Sequence, residues 1–208
     1  MRFSCTVLSV SDVSASRRFY EELFGLQVFQ DYGKNVLFTC GLSLQEDFGW
    51  LTGIPDHDIM KRPNDMEVCF ETEDLDGFME KLKMHPGIET VGGVIEHGWG
   101  QRVIRLYDPD GHLIEVGEDM RMVVNRFLDS GMTLDQTSER MNVSVSDLKK
   151  LLGSRRKIRG DYPLFQFSKV FATSLRSSMI GSPWGQFISQ LPHSRQSEAS
   201  PWPLERLL

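Results

Sequence analysis

Arg102-Val-Ile-Arg-Leu-Tyr107-Asp-Pro-Asp-Gly111-His-Leu-Ile-Glu115-Val-Gly117 is the stretch whose reading decides the fold. Two strand-like runs flank a break, Asp108-Pro109-Asp110-Gly111. Proline presets φ for a turn there, and glycine accepts the geometry at the turn's end. The stretch reads as a β-hairpin. Pairing Tyr107 with His112 across a four-residue break sets Ile104 opposite Glu115, so that Arg102, Ile104, Leu106, Leu113 and Glu115 share one face. A carboxylate on a mostly apolar face needs a cation, because burying it alone is costly. Two partners stay open for Glu115: the Arg102 guanidinium, or a metal ion.

Working outward, the hairpin ends the second of two similar units. Residues 3–10 read as a strand, with Thr6, Leu8 and Val10 on one face and Cys5, Val7 and Ser9 on the other. Asp12 or Ser14 offers a helix cap, Phe19, Tyr20, Leu23 and Phe24 recur at helical spacing, and Gly25 closes the helix. Strands at 27–31, 34–40 and 42–46 follow, and then a loop over 47–64 with a helical turn near Phe48–Leu51. The order then restarts with a strand at Glu67–Thr72, a helix capped by Asp74, and strands at 88–95, 101–107 and 112–117. In the first of these, Val68 and Phe70 face one way and Glu67 and Cys69 the other. The expected fold is α+β, with two βαβββ modules, 1–52 and 65–118, within a domain spanning 1–118. Each module alone exposes a sheet face and an edge, so two must pack together into a curved sheet whose inward faces line a cleft.

From 119 the pattern becomes helical. Val123, Val124, Phe127 and Leu128 mark an amphipathic helix ending at Ser130-Gly131. Thr133 caps a second helix, Asn142 breaks it, and Ser144 or Ser146 caps a third through Leu148, Leu151 and Leu152. The segment 119–152 therefore reads as a helical extension. Residues 153–208 read as a disordered tail with one short helix near 165–177.

The net charge of −6 divides unevenly, with +5 on residues 154–208 and −11 on residues 1–153. An acidic body argues against nucleic acid as a partner. Cys5, Cys40 and Cys69 lack the spacing of a disulfide framework or a zinc knuckle. With no signal-like segment and no apolar run near the roughly 20 residues that span a bilayer, the expectation is a cytoplasmic protein with no membrane partner.

Asp12 with Phe19-Tyr20-x-x-Leu23-x-Gly25, followed by Asp108-Pro-Asp-Gly111-His-x-Ile-Glu115, resembles the vicinal oxygen chelate superfamily. That superfamily includes glyoxalase I, fosfomycin and bleomycin resistance proteins, and extradiol dioxygenases. The segment Glu96-His97-Gly98-Trp99-Gly100-Gln101-Arg102 together with the helical extension is most similar to small bacterial glyoxalase-like proteins. The resemblance implies a homodimer and a cleft that holds one divalent metal, its ligands drawn from the first and last strand of each module. Carried over, the ligand positions fall on Cys5, Gln45 (with Ser43 one rung away), Glu67 and Glu115. Both positions where the family usually has histidine are replaced, by Cys5 and Glu67, so neither a two-histidine, one-carboxylate triad nor the usual nickel or zinc sphere is present.

Three functions follow as expectations. The first is a glyoxalase-like protein binding a small polar or anionic molecule in the cleft, with a divalent metal for lyase- or dioxygenase-type chemistry and Glu67 and Glu115 as catalytic carboxylates. The second is metal-free ligand binding or sequestration of the bleomycin-resistance type, with His97, Trp99 and Arg102 meeting the ligand. The third is a ligand-responsive regulator whose helical extension reads DNA. Residues 133–148 weigh against it, since they carry Asp135, Glu139 and Asp147 against Arg140 alone.

Overall fold

A computed structural model describes residues 1–153 of the chain, and the helix expected near 165–177 lies outside them. The first module contains β1 (Thr6–Ser9), α1 (Val13–Phe24), β2 (Val28–Asp31), β3 (Asn35–Phe38) and β4 (Leu42–Gln45). Its sheet runs β1-β4-β3-β2, with β1 parallel to β4 and the other pairs antiparallel. Asp12 caps α1 by accepting from the Ala15 N–H, and Gly25 ends the helix in the left-handed region at φ 67°. A short helix, α2 (Phe48–Thr52), and a 3-10 turn at Asp56–Asp58 lead to the second module.

The second module repeats the plan with β5 (Val68–Thr72), α3 (Leu75–Lys83), β6 (Ile95–Glu96), β7 (Arg102–Tyr107) and β8 (Leu113–Glu118), in the order β5-β8-β7-β6. The strand expected over 88–95 is reduced to β6 and an isolated bridge between Thr90 and Leu106. Gly92, at φ 73°, takes the chain out of extended geometry between the two.

The hairpin register differs by one residue from the sequence-based expectation. The Asp108 N–H donates to the His112 carbonyl at 3.1 Å, and Gly111 sits at φ 89°, so the loop has three residues rather than four. Tyr107 therefore pairs with Leu113, Arg105 with Glu115, and Ile104 with Val116. A slip of one residue exchanges the two faces of a strand. Ile104, Leu106, Ile114 and Val116 point into the core, and Arg105, Tyr107, Leu113 and Glu115 share the other face. The expected Glu115–Arg102 pair does not form, because the two side chains lie on opposite faces.

Both modules share one core. Leu8, Val36, Phe38 and Leu44 from the first sheet join Tyr20 and Leu23 of α1, Leu75 and Leu82 of α3, and the inward residues of β7 and β8. Phe24 of α1 stacks on Phe70 of β5 with ring centroids 4.4 Å apart. The hairpin tip docks onto the start of α1. Asp110 accepts from the Ser11 N–H (2.8 Å), the Ser11 hydroxyl (2.7 Å) and the Ser16 hydroxyl (2.9 Å). Deeper in, Asp108 accepts from the Tyr20 hydroxyl at 2.9 Å and lies 2.8 Å from His112 Nδ1.

The extension forms α4 (Met120–Asp129), α5 (Leu134–Met141) and α6 (Val145–Gly153) around a second core of Val123, Val124, Met141 and Leu148. Thr133 and Gln136 make a reciprocal capping box, and Asn142 ends α5 at φ 53°. Phe127 of α4 packs against Gly100, where a Cβ would lie 2.2 Å from its ring. Among the described residues no helix is long and apolar enough to cross a membrane.

Asp108 carries two predictions. Tyr20 is fully buried, so Tyr20→Phe deletes a donor to a carboxylate that is itself only 5% exposed. The expected loss is about 1–3 kcal/mol of unfolding free energy in urea titration, with the fold retained. Burial pushes the Asp108 carboxyl up, but the hydrogen bonds and charge of His112 and the Tyr20 hydroxyl outweigh it and hold the group below its ordinary value. A carboxyl lowered in the folded state adds stability above its unfolded value of about 3.9, and that contribution disappears as pH falls through the lower folded value. Stability measured from pH 6 to pH 2 should therefore fall less steeply at the acid end in Asp108→Asn than in the wild-type chain.

Candidate functional site

The outer face of the second sheet concentrates the polar chemistry. Parallel pairing of β5 with β8 sets Cys69 beside Glu115, and antiparallel pairing of β7 with β8 sets Arg105 on its other side. Glu67, just before β5, points to the same face by the two-residue alternation. Arg105 joins the acids: its Nε donates to Glu67 Oε2 at 2.9 Å, and its Nη2 donates to Glu115 Oε2. One ligand atom each from Glu67, Cys69 and Glu115 lie within 4.8 Å of one another. Glu67 and Cys69 are exposed and Glu115 is half-buried, so this face is open.

The charges fix the states of these groups. Partial burial and the carboxylates of Glu67 and Glu115 push the Cys69 thiol up, away from thiolate. The hydrogen bond to Glu67 and the charge of both acids hold Arg105 firmly protonated. With two carboxylates and one guanidinium, the cluster carries a net charge of −1.

A turn bounds one end of this face. The His97 N–H donates to the Gln101 carbonyl at 2.9 Å, and the His97 and Trp99 rings stack at 4.3 Å and 13°. Trp99 Nε1 donates to Gln101 Oε1 at 3.1 Å, and Gln101 Nε2 donates to the Glu118 carbonyl at 2.9 Å. The Gln101 amide lies over Gly117, where a Cβ would meet it at 2.8 Å. Gly117 is the next residue along β8 on the Glu115 face, so Gln101 and the 41%-exposed Trp99 stand beside the Glu115–Arg105 row.

Arg102 has a structural setting instead. Its Nε donates to Glu118 Oε1 at 2.9 Å, and its Nη1 and Nη2 donate to Asp76 Oδ1 and Oδ2 at 3.0 and 3.2 Å. Arg126 of α4 adds a bond to the same Glu118 at 2.8 Å. Burial pushes the Glu118 carboxyl up, and the two arginines more than reverse it. Glu118, 6% exposed, thus ties β7, β8 and α4 together, with Arg102 extending the link to α3.

Of the four carried-over ligand positions, Glu67 and Glu115 stand together on the second sheet. Gln45 belongs to the other sheet, is 4% exposed, and accepts from Asn35 Nδ2 at 2.9 Å. Ser43 accepts from the same amide at 3.1 Å, and Asn35 Oδ1 is buried without a partner. Cys5 is a half-buried free thiol before β1 and is not part of the Glu67–Cys69–Glu115 group. The donor set therefore does not fit the family's divalent ion. Two of the three clustered donors are already bonded to a guanidinium, and the third is a protonated thiol. Sequence reasoning missed Arg105, Cys69 and Gln101. A three-residue Pro-Asp-Gly loop with Gly111 left-handed would have set Arg105 opposite Glu115, and the shared parity of Glu67 and Cys69 would then have brought in the thiol.

Comparison with known proteins agrees with the geometry. The model of the glyoxalase-like domain family matches residues 3–121. A virulence protein of Salmonella typhimurium is 31% identical over 126 residues, which cover 56% of this chain and 83% of that protein. A crystal structure of a protein of unknown function from Agrobacterium tumefaciens aligns with a TM-score of 0.50 at 35% identity, covering 57% of this chain and 94% of that one. A fosfomycin resistance protein from Listeria monocytogenes aligns with a TM-score of 0.44 at 22% identity over 57% of this chain and 93% of its own. With its paired βαβββ modules and a match over more than half its length, the chain belongs to the glyoxalase-like domain family of the vicinal oxygen chelate superfamily.

Proposed function

We propose that this chain binds a small polar molecule on the open β5–β8–β7 face, without a resident metal. The observation that carries the reading is Arg105 bridging Glu67 and Glu115. A tethered cation supplies there the positive charge that an ion supplies elsewhere in the superfamily, and no lyase or dioxygenase step is assigned to the site. The net negative cluster favours a ligand that presents hydrogen-bond donors or a positive charge over an anionic one. Trp99 offers an aromatic surface that receives such a group by stacking or cation–π contact. Glu67 and Glu115 act as acceptors that orient the ligand, and Arg105 holds their side chains in place.

This is sequestration chemistry, the metal-free alternative among the functions expected from sequence. The open face also favours a homodimer, in which a second copy closes the cleft, and light scattering at micromolar concentration should give twice the chain mass. The ligand reading is tested with protein stripped by EDTA and screened by thermal shift against alkylammonium, guanidinium and carboxylate compounds. Stabilisation by the cationic series is expected. At a ligand concentration 100 times Kd it corresponds to about 2.7 kcal/mol, and it should be lost in Glu115→Gln. Stoichiometric metal in protein purified without chelator, or stabilisation by divalent ions alone, would sink the reading.

A further inference from the structure

We infer that the cavity between the two modules is a second ligand site, built around His112 and fitted to a small zwitterion of the α-amino-acid class. The inference goes beyond the open-face reading, because none of Glu67, Cys69, Trp99, Arg105 and Glu115 lines this cavity. Its volume is about 330 Å³, at the lower end of the roughly 300–1,000 Å³ found for small-molecule sites. The walls come from the end of β1, the junction of β4 with α2, the connection between the modules, and the hairpin tip. Arg62 anchors that connection: its guanidinium lies 3.8 Å over the Tyr107 ring and bonds to Glu89. Lys61, the residue before it, stands in the cavity wall.

The state of the polar groups singles the cavity out. Asp108, its side chain wholly buried, lies 2.8 Å from His112 Nδ1 and fixes the ring. A carboxylate there takes the Nδ1 proton, which leaves Nε2 as the ring's free position. The His112 side chain is 19% exposed, lines the cavity, and has no partner at Nε2 among the described residues. Two acids of the wall are already committed, Asp47 to Lys34 and Asp110 to Ser11 and Ser16. Glu46 is committed at one oxygen only: Oε2 accepts from the Val13 N–H at 3.2 Å, and Oε1 bonds to none of the described residues. Lys61 has no ion pair among the described residues and does not pair with Glu46, although both line the cavity.

One carboxylate oxygen, one ammonium and one imidazole nitrogen thus stand uncommitted around a single cavity. A molecule bearing both an ammonium and a carboxylate engages all three. Its ammonium donates to Glu46 Oε1 and His112 Nε2, and its carboxylate accepts from Lys61. Val10, Phe48 and Ile59 supply apolar wall for the rest of the molecule. A simple amine leaves Lys61 without a counter-charge, and a simple carboxylate leaves Glu46 without one, so each binds more weakly.

The test follows the full chain by NMR with isotopically labelled histidine rings, His112 being identified by the signal that disappears in His112→Gln. Free L-leucine and L-methionine are titrated beside N-acetyl-L-leucine, which lacks the ammonium, and L-leucinamide, which lacks the carboxylate. The free amino acids should shift the His112 ring signals with a Kd of about 1 mM or below, and the blocked forms should bind about tenfold more weakly. Lys61 is exposed, so Lys61→Met keeps the fold, and it should weaken leucine binding about tenfold by saturation transfer from protein to ligand. His112→Gln, which keeps an amide donor for Asp108, should weaken it likewise. Unmoved His112 signals with all four compounds, or leucine binding that survives both substitutions, would overturn the site. Equal binding of leucine and either blocked form would overturn the assignment to zwitterions. Each of these results leaves the open-face reading as it was, because the two sites share no residue.

Discussion

The contact between Asp108 and Tyr20 holds the architecture together. The carboxylate lies at the foot of the β7–β8 hairpin and the hydroxyl on the buried side of α1, so one hydrogen bond joins the second module to the first inside their common core. A carboxylate at that depth is tolerable only because every approach is occupied: the Tyr20 hydroxyl, the His112 ring, and the backbone N–H groups of Asp110 and His112. Those same bonds shape the hairpin loop. They draw His112 opposite Asp108, fix three residues in the loop, and thereby decide which side chains of β7 and β8 face the core.

The candidate site follows from that register. With Tyr107 opposite Leu113, the second arginine of the hairpin falls beside Glu115 and the first is left to Glu118. Arg102 and Arg105 are three residues apart and have unlike settings. One is a clamp between sheet and helices, with Arg126 completing the coordination of a buried glutamate. The other is the cation of an open acidic face.

The two modules have diverged along the same line. In the first, the Asn35 amide donates to Ser43 and Gln45 and all three residues are buried, with Asn35 Oδ1 left without a partner. In the second, the corresponding face stays open and charged, and the turn carrying Trp99 and Gln101 borders it. Among the described residues, Glu67, Cys69, Arg105 and Glu115 stand together on that second sheet.

Much of this was legible in the chain. The alternation of β5, the caps at Asp12, Asp74 and Thr133, the breaks at Gly25 and Asn142, and the repeated βαβββ order are local signals, set by side-chain period and backbone preference, and they stand where the residues place them. Local signals also put Glu67 and Cys69 on the face of β5 opposite Val68 and Phe70. Sequence could not choose the partner of Glu115, because Arg102 and Arg105 sit on opposite faces of one strand, and a loop of three residues or of four selects between them. That choice was made by the buried Asp108 network, which reaches 88 residues back to Tyr20. Residue pattern alone determined the repeat, the fold class and the acidic character of the face. Tertiary structure decided which cation stands among those acids, because Pro109-Asp110-Gly111 is compatible with a loop of three residues or of four and the buried contacts of Asp108 select the shorter one.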